Sequence, residues 1–258
     1  MLENEMNIDE RKNKIAELLK ENGTVKVTAL SEMLGISEVT VRSYLADMES
    51  KGLLSRVHGG AISSYKPYCS MNFNQRMETN KDEKSSIAAR VASMIEPDDT
   101  VMLNSGTTTL LVFRQLPIDY NLKIVTNSIS IALEAAENPN YSVTLVGGSV
   151  NSRYQFTYGQ EASEQLESYH ADKLILSVDG IDMEEGFSTY YSEESFIDKA
   201  MIKNSEVCII AADRSKFRRR AFAKISPLDS ADYIVTNCDI TDEEKTILEE
   251  NEIKLVNA

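Results

Sequence analysis

Five short segments combine hydroxyl, amide, carboxylate or cationic side chains with glycine or a tight turn, and each closes an apolar run that reads as a strand. Asn104-Ser105-Gly106-Thr107-Thr108-Thr109 follows Thr100–Leu103 directly. Small hydroxyl residues around a glycine leave backbone N–H groups accessible, and a helix that starts there presents partial positive charge, so this pattern suits a phosphate. A plain helix-capping turn fits the same residues, and the Gly-Lys-Ser/Thr of a P-loop is missing. Thr126-Asn127-Ser128 again joins a strand to a helix, and Gly147-Gly148 precedes Arg153, which suits either an anion or solvent. Asp179 and Asp182, three apart on a glycine-containing loop, suit vicinal sugar hydroxyls or an Asx turn with both acids solvated. Lys216, in Ala211–Phe217, is a further phosphate partner; the adjoining Arg218-Arg219-Arg220 reads as a solvated loop or as a contact to DNA or ligand. These acids have no clustered partners for a divalent ion, so neither a metal site nor a cofactor is expected.

A different chemistry is written into Thr24 to Ala61. The spacing predicts a helix from about Thr28 to Leu34, a turn at Gly35 and a second helix capped by Ser37. Val41, Leu45 and Met48 share one face of that second helix, leaving Glu38, Thr40, Arg42, Ser43 and Asp47 elsewhere. Gly52 is expected to stop it. Leu53–Arg56 and His58-Gly59-Gly60 then read as a strand and the turn of a wing. A polar, Arg-bearing helix after a tight turn suits a DNA major groove, although an ordinary helical hairpin has the same spacing. The candidate DNA contacts are Ser37, Glu38, Thr40, Arg42, Ser43, Arg56 and His58.

The elements that must position these groups follow from composition and periodicity. A chain of 258 residues with 42% hydrophobic and 26% charged content has the make-up of a globular protein with a real core. No apolar run approaches a membrane span and the N-terminus has no signal-peptide pattern, so a cytoplasmic protein without membrane partners is expected. Cys69, Cys208 and Cys238 are widely spaced, which argues against a disulfide frame or zinc site. The net charge of −14 opposes DNA binding, but residues 1–61 carry 8 Lys/Arg against 10 Asp/Glu and the remainder 19 against 31. The acidity therefore sits mostly outside the proposed DNA-binding part. DNA contact then rests on local placement of Arg11, Lys12, Lys14, Lys26, Arg42, Lys51 and Arg56, with weak non-specific affinity.

Residues 10–21 form an amphipathic helix with Ile15, Leu18 and Leu19 inward, and Val25 and Val27 begin a strand that pairs with the wing. Two domains and a linker result: residues 1–61 as a winged helix-turn-helix, 62–79 as a linker with some packing through Tyr65, Tyr68 and Phe73, and 80–258 as a larger domain. From residue 80 helices and strands alternate, with helices at 82–95, 107–116, 129–137, 160–169, 193–204 and 242–250. Strands at 100–103, 122–126, 143–146, 173–178, 207–211, 232–236 and 253–256, with an edge strand at 221–225, imply a mostly parallel α/β sheet covered on both faces. Ligands of such sheets bind beyond the carboxyl ends of the strands, where the five segments lie.

The stretch LSEMLGISEVTVRSYLADMESKGLLSRVHGGA resembles the winged helix-turn-helix of the DeoR-type bacterial regulators of sugar metabolism. Arg42-Ser43-Tyr44-Leu45 departs from that family's usual Arg-Arg-Asp-Leu, which loses a phosphate or base contact at Ser43. The landmarks SGTT, VTNS, VGG, DGID, GFST and ADRSKF make residues 81–256 similar to the family's sensor domain, which is akin in fold to ribose-5-phosphate isomerase. The resemblance implies phosphate binding at Ser105, Gly106, Thr107 and Thr108 and sugar-side contacts near Asn127, Asp179, Asp182 and Lys216. Asn104 stands where the family often has Asp. It implies a transcriptional repressor, not an enzyme, that partners a double-stranded operator and a phosphorylated sugar effector, and homodimers or homotetramers to match two-fold operators. The alternative is a sugar-phosphate isomerase carrying an added helical domain, with Asp179, Asp182 and Glu194 as its acids and bases.

Overall fold

Apolar spacing builds the N-terminal elements. The computed structural model of the chain describes residues 6–22, 24–50, 54–57, 59–63 and 71–258. They fall into two compact units, Met1–Met71 and Asn72–Ala258. The first unit contains α1 (Ile8–Asn22), β1 (Thr24–Lys26), α2 (Val27–Leu34), α3 (Glu38–Ser50), β2 (Leu54–Val57) and β3 (Gly60–Ser63). Ile15 and Leu19 of α1, Leu30 of α2, and Val41, Leu45 and Met48 of α3 close one core. The strands form an antiparallel sheet in the order β1-β3-β2, so the wing hairpin is tied back to the strand before α2. Val27 opens α2 instead of extending β1, because it packs with Leu30 and Leu34 on that helix's buried face. Lys51, Gly52, His58 and Cys69 lie outside the described residues.

A sharp turn sets α3 against α2. Helix α2 ends at Gly35, in the left-handed conformation at φ +63. The Ser37 hydroxyl then accepts the Thr40 amide at 3.2 Å, capping α3. Replacing Ser37 by Ala orphans that amide, so urea unfolding of this unit is expected to lose about 1 kcal/mol; an unchanged midpoint would remove the cap from the account.

The second unit is a seven-stranded parallel sheet with helices on both faces. Its strands are β4 (Thr100–Leu103), β5 (Lys123–Thr126), β6 (Ser142–Leu145), β9 (Ala171–Leu176), β12 (Ser205–Ala211), β14 (Tyr233–Thr236) and β15 (Lys254–Asn257), in the order β15-β14-β12-β9-β4-β5-β6. Alternate residues of each strand enter opposite cores. Met102, Leu174, Leu176, Ile210 and Ile234 meet α8 (Gln160–Leu166), α9 (Ser192–Lys203) and α10 (Asp242–Glu250). Val101, Leu103, Ile124, Ile175 and Ile209 meet α5 (Lys81–Ala92), α6 (Thr107–Gln115) and α7 (Ile129–Ala135). The order reverses at the centre, where β4 leads to β5 and β6 on one side and β9 leads to β12 and β14 on the other. A crevice at such a reversal is where doubly wound sheets bind ligands.

Three features differ from the periodicity. Helix α4 (Phe73–Glu78) occupies part of the stretch read as linker, held by a reciprocal capping box between Asn72 and Gln75 and by Phe73 buried in the second unit. The segment expected at the sheet edge forms β13 (Ala223–Ser226), which instead pairs with β11 (Gly186–Thr189) in a small antiparallel sheet with β10 (Gly180–Asp182). A further hairpin joins β7 (Ser149–Asn151) to β8 (Phe156–Tyr158).

Candidate functional site

The Ser105–Thr108 loop lies at the carboxyl end of β4, on the reversal point, and opens α6. Gly106 has an extended backbone and no side chain; a Cβ there would fall 1.9 Å from the Ser177 hydroxyl. The missing atom lets the loop lie against the end of β9. Asn104 pins it there. Its Nδ2 donates to the Ser177 carbonyl at 3.0 Å and to Asp198 at 3.1 Å, and its Oδ1 accepts from the Thr109 hydroxyl and the Ser177 amide. Asn104 is therefore committed to holding the loop, and the expectation of a ligand contact from it does not fit these bonds. Among the described residues no side chain caps the first turn of α6, which leaves its N–H groups to an external acceptor.

Buried cations surround that helix start. The Lys84 ammonium, on α5, donates to the Arg76 carbonyl at 2.6 Å and the Thr107 hydroxyl at 3.1 Å, with only 1% of the residue exposed. Desolvation, followed by the nearby Lys216 charge, pulls its pKa down to about 8. Lys216, from the segment after β12, approaches Asp179 at 3.5 Å, and Arg76 approaches the same carboxylate at 3.7 Å. Asp179 also accepts the Tyr190 amide at 3.0 Å. Asp213 opposes burial with the Lys216 charge, the Ser215 amide and Lys84, which hold its carboxyl below the usual range.

Two further acids press on the loop from α9. Glu194 accepts the Ser105 hydroxyl at 3.0 Å and the Thr189 hydroxyl at 2.6 Å. Burial, then the charge of Asp179, pushes its pKa up to about 7. Asp198 lies deeper, and burial followed by Glu194 raises it well above the carboxylate range. Its second oxygen has no hydrogen-bond partner among the described residues.

The remaining expected ligand residues separate. Asp182 does not join Asp179: Asp179 sits at the bend before β10, and Asp182 is the last residue of that strand. It pairs with Arg220 at 2.8 and 3.0 Å and caps the Glu184 and Glu185 amides at the hairpin tip. Arg218 likewise bonds Glu244 at 2.7 Å, so two arginines of that run are tied to acids of their own unit. Gly148 serves packing, since a Cβ there would meet the Tyr158 carbonyl at 2.5 Å. Asn127 is buried at the end of β5 and donates to the Thr157 carbonyl, while its Oδ1 has no hydrogen-bond partner among the described residues. Arg153 lies over the Tyr154 ring, which also meets the Arg76 guanidinium and the Tyr191 ring. It thus borders the cluster through an aromatic wall.

On α3 of the first unit the candidate DNA contacts divide by exposure. Ser37, Arg42 and Ser43 are exposed, whereas Glu38 and Thr40 are half-buried. Arg42 pairs with Glu38 one turn earlier at 2.6 Å, and Arg56 of the wing pairs with Glu49 at 2.7 Å. His58 lies outside the described residues.

Comparison with known families settles the assignment. Residues 11–66 match the DeoR-like helix-turn-helix domain, and residues 79–238 match the DeoR C terminal sensor domain. This chain belongs to the DeoR family. It is a DNA-binding transcriptional regulator. It is 33% identical over 230 residues to a putative aga operon transcriptional repressor of Escherichia coli O157:H7, covering 88% of this chain and 86% of that protein. It is 30% identical over 230 residues to the glycerol-3-phosphate regulon repressor of Escherichia coli (strain K12), covering 88% and 90%. The full-length sorbitol operon regulator SorC from Klebsiella pneumoniae aligns over 95% of each chain with a TM-score of 0.41 and 12% identity. Ribose 5-phosphate isomerase A from Methanocaldococcus jannaschii aligns over 54% of this chain and 55% of that one, with a TM-score of 0.40 and 15% identity. Among the described residues no helix is long and apolar enough to cross a membrane.

Within this DeoR-family sensor unit, sequence reasoning missed Arg76, Lys84 and Asp198, and weighed Glu194 only as an enzymatic acid. Lys84 did carry a signal. It stands three residues before Ile87 and seven before Val91, on the buried face of α5, where a cation requires a partner. Arg76 had none, because the stretch around it showed no sustained period.

Proposed function

We propose that this protein represses a sugar-utilisation operon and that a phosphorylated sugar, bound at the Ser105–Thr108 loop, shifts it away from its DNA-competent state. The observation that carries this reading is the pair of buried lysines, Lys84 at 1% and Lys216 at 4% exposure, beside a helix start with no side-chain cap. Lys216 faces Asp179 at 3.5 Å and Asp213 acts on both lysines, so the cations are held in place at the loop. A phosphate would meet this fixed positive cluster and accept from the loop amides. Asp179 then faces the sugar hydroxyls, and Tyr154 and Tyr191, with ring centroids 4.6 Å apart and planes tilted by 49°, offer a ring face. The names of relatives, which include a glycerol-3-phosphate regulon repressor, support an effector of this class. A cytoplasmic homodimer or homotetramer fits a two-fold operator.

The test is a thermal-shift screen of sugar phosphates against their unphosphorylated counterparts. A ligand at 100 times its Kd adds about 2.7 kcal/mol. A hit that needs no phosphate would overturn the assignment of the loop. For the DNA half, Ser37, Glu38, Thr40, Arg42, Ser43, Arg56 and His58 are proposed as operator contacts. Arg42→Ala is expected to weaken specific binding by about 1–3 kcal/mol in a gel-shift titration; unchanged affinity would remove Arg42 from the interface.

A further inference from the structure

We propose that Val39 reads a thymine of the operator through its 5-methyl group. The inference rests on α3 being the helix that enters the major groove, as proposed above.

Helix α3 buries Val41, Leu45 and Met48. Residues 39, 42 and 43 stand at i, i+3 and i+4, so they form one outward face in the first turns of the helix. All three are exposed, and Val39, at 74%, is the most exposed large hydrophobic residue described in this unit. A β-branched residue on an exposed helix position is a poor choice for the free protein: it is worse than Ala for the helix and takes no part in the core.

Its neighbours do not share that condition. Arg42 is paired with Glu38 at 2.6 Å, and the Ser37 and Thr40 hydroxyls are hydrogen-bonded to each other at 2.9 Å. The side chains of Ser37, Glu38, Thr40 and Arg42 are thus paired with one another, while Val39 stands exposed beside them. The first turns of a recognition helix contact base edges, and the only apolar feature those edges present in the major groove is the thymine methyl. A cytosine or uracil at the same place offers no such group. Val39 is therefore matched to thymine by shape and polarity.

The full chain is used to select duplexes from a random pool, and each thymine of the selected site is replaced in turn by deoxyuridine. Affinities are measured by fluorescence anisotropy at one salt concentration. For the unaltered protein, one such replacement is expected to weaken binding about four-fold, the worth of one buried methyl. Val39→Ala, which favours the helix and leaves the core intact, is expected to bind the thymine site more weakly and to be indifferent to that same replacement. If every deoxyuridine duplex binds the unaltered protein as tightly as the selected site, or if the variant remains as sensitive as the parent, the assignment of Val39 fails while the groove helix stands. If no duplex is enriched at all, the groove reading fails with it.

Discussion

Replacing Lys84 by Met abolishes the stabilisation that a phosphorylated ligand gives to this protein, without lowering the melting temperature of the ligand-free chain at pH 7. The first half follows from position. The ammonium bonds the Thr107 hydroxyl at the start of α6 and is buried, so it meets an arriving phosphate in a region of low dielectric. Removing one partner of a buried, hydrogen-bonded charge pair costs about 2–5 kcal/mol, a loss of roughly 30-fold to several thousand-fold in affinity. The second half follows from linkage. Desolvation holds Lys84 at about 8 in the folded chain against 10.5 ordinarily. The unfolded chain therefore binds this proton more strongly, and the cost of the buried charge is fully present below pH 8 and relieved as pH rises toward 10.5. Methionine fills similar space without that cost. Melts at pH 7, with and without inorganic phosphate or a sugar phosphate, separate the two effects. A ligand-induced shift of parental size in the variant would sink the role given to Lys84.

The contrast between Lys84 and Asp182 shows what the sequence could disclose. Periods of 3.6 and 2 located nearly every long element, since Val41, Leu45 and Met48 or Met102 and Leu174 must reach a core whatever the surrounding detail. The loops at the strand ends were visible for the same reason: an apolar run stops and small polar residues begin. Site geometry was harder, because spacing in sequence says little about direction. Asp179 and Asp182 look paired in a loop, but Gly180–Asp182 is a strand, and Asp182 at its end bonds Arg220. Glu194 and Asp198 sit one turn apart on a helix some ninety residues beyond Ser105 and Asn104, and only the closing of the sheet brings them together at 3.0 and 3.1 Å. The hairpin strands β7, β8 and β10 are three residues each, too short for any period to register.

That pairing of Glu194 with Ser105 makes anion binding depend on a proton. Burial first, and Asp179 second, raise Glu194 to about 7, against the opposing Thr189 hydroxyl, Arg76 charge and Ser105 hydroxyl. Its folded pKa exceeds its unfolded value of 4.5, so the stability it contributes is fully present below pH 4.5 and is lost as pH rises through 7. Glu194→Gln is expected to flatten this fall and to raise stability above pH 7 by on the order of 3 kcal/mol. The amide can still accept from Ser105. It can also donate to Thr189, whose hydroxyl is then directed to Asp179, at 3.3 Å in the parent. Sulfate, whose charge is constant across neutral pH, isolates the effect on the ligand. An anion at the Ser105 hydroxyl faces an ionised Glu194 above pH 7, so sulfate affinity in the parent is expected to fall by up to tenfold per pH unit there. Above pH 8 the loss of the Lys84 charge adds a second decline. The Gln variant removes the first decline and keeps the second. Identical sulfate profiles for parent and variant between pH 6 and 8 would show that Glu194 stays in one charge state throughout, and that the Ser105 loop takes its anion without a proton.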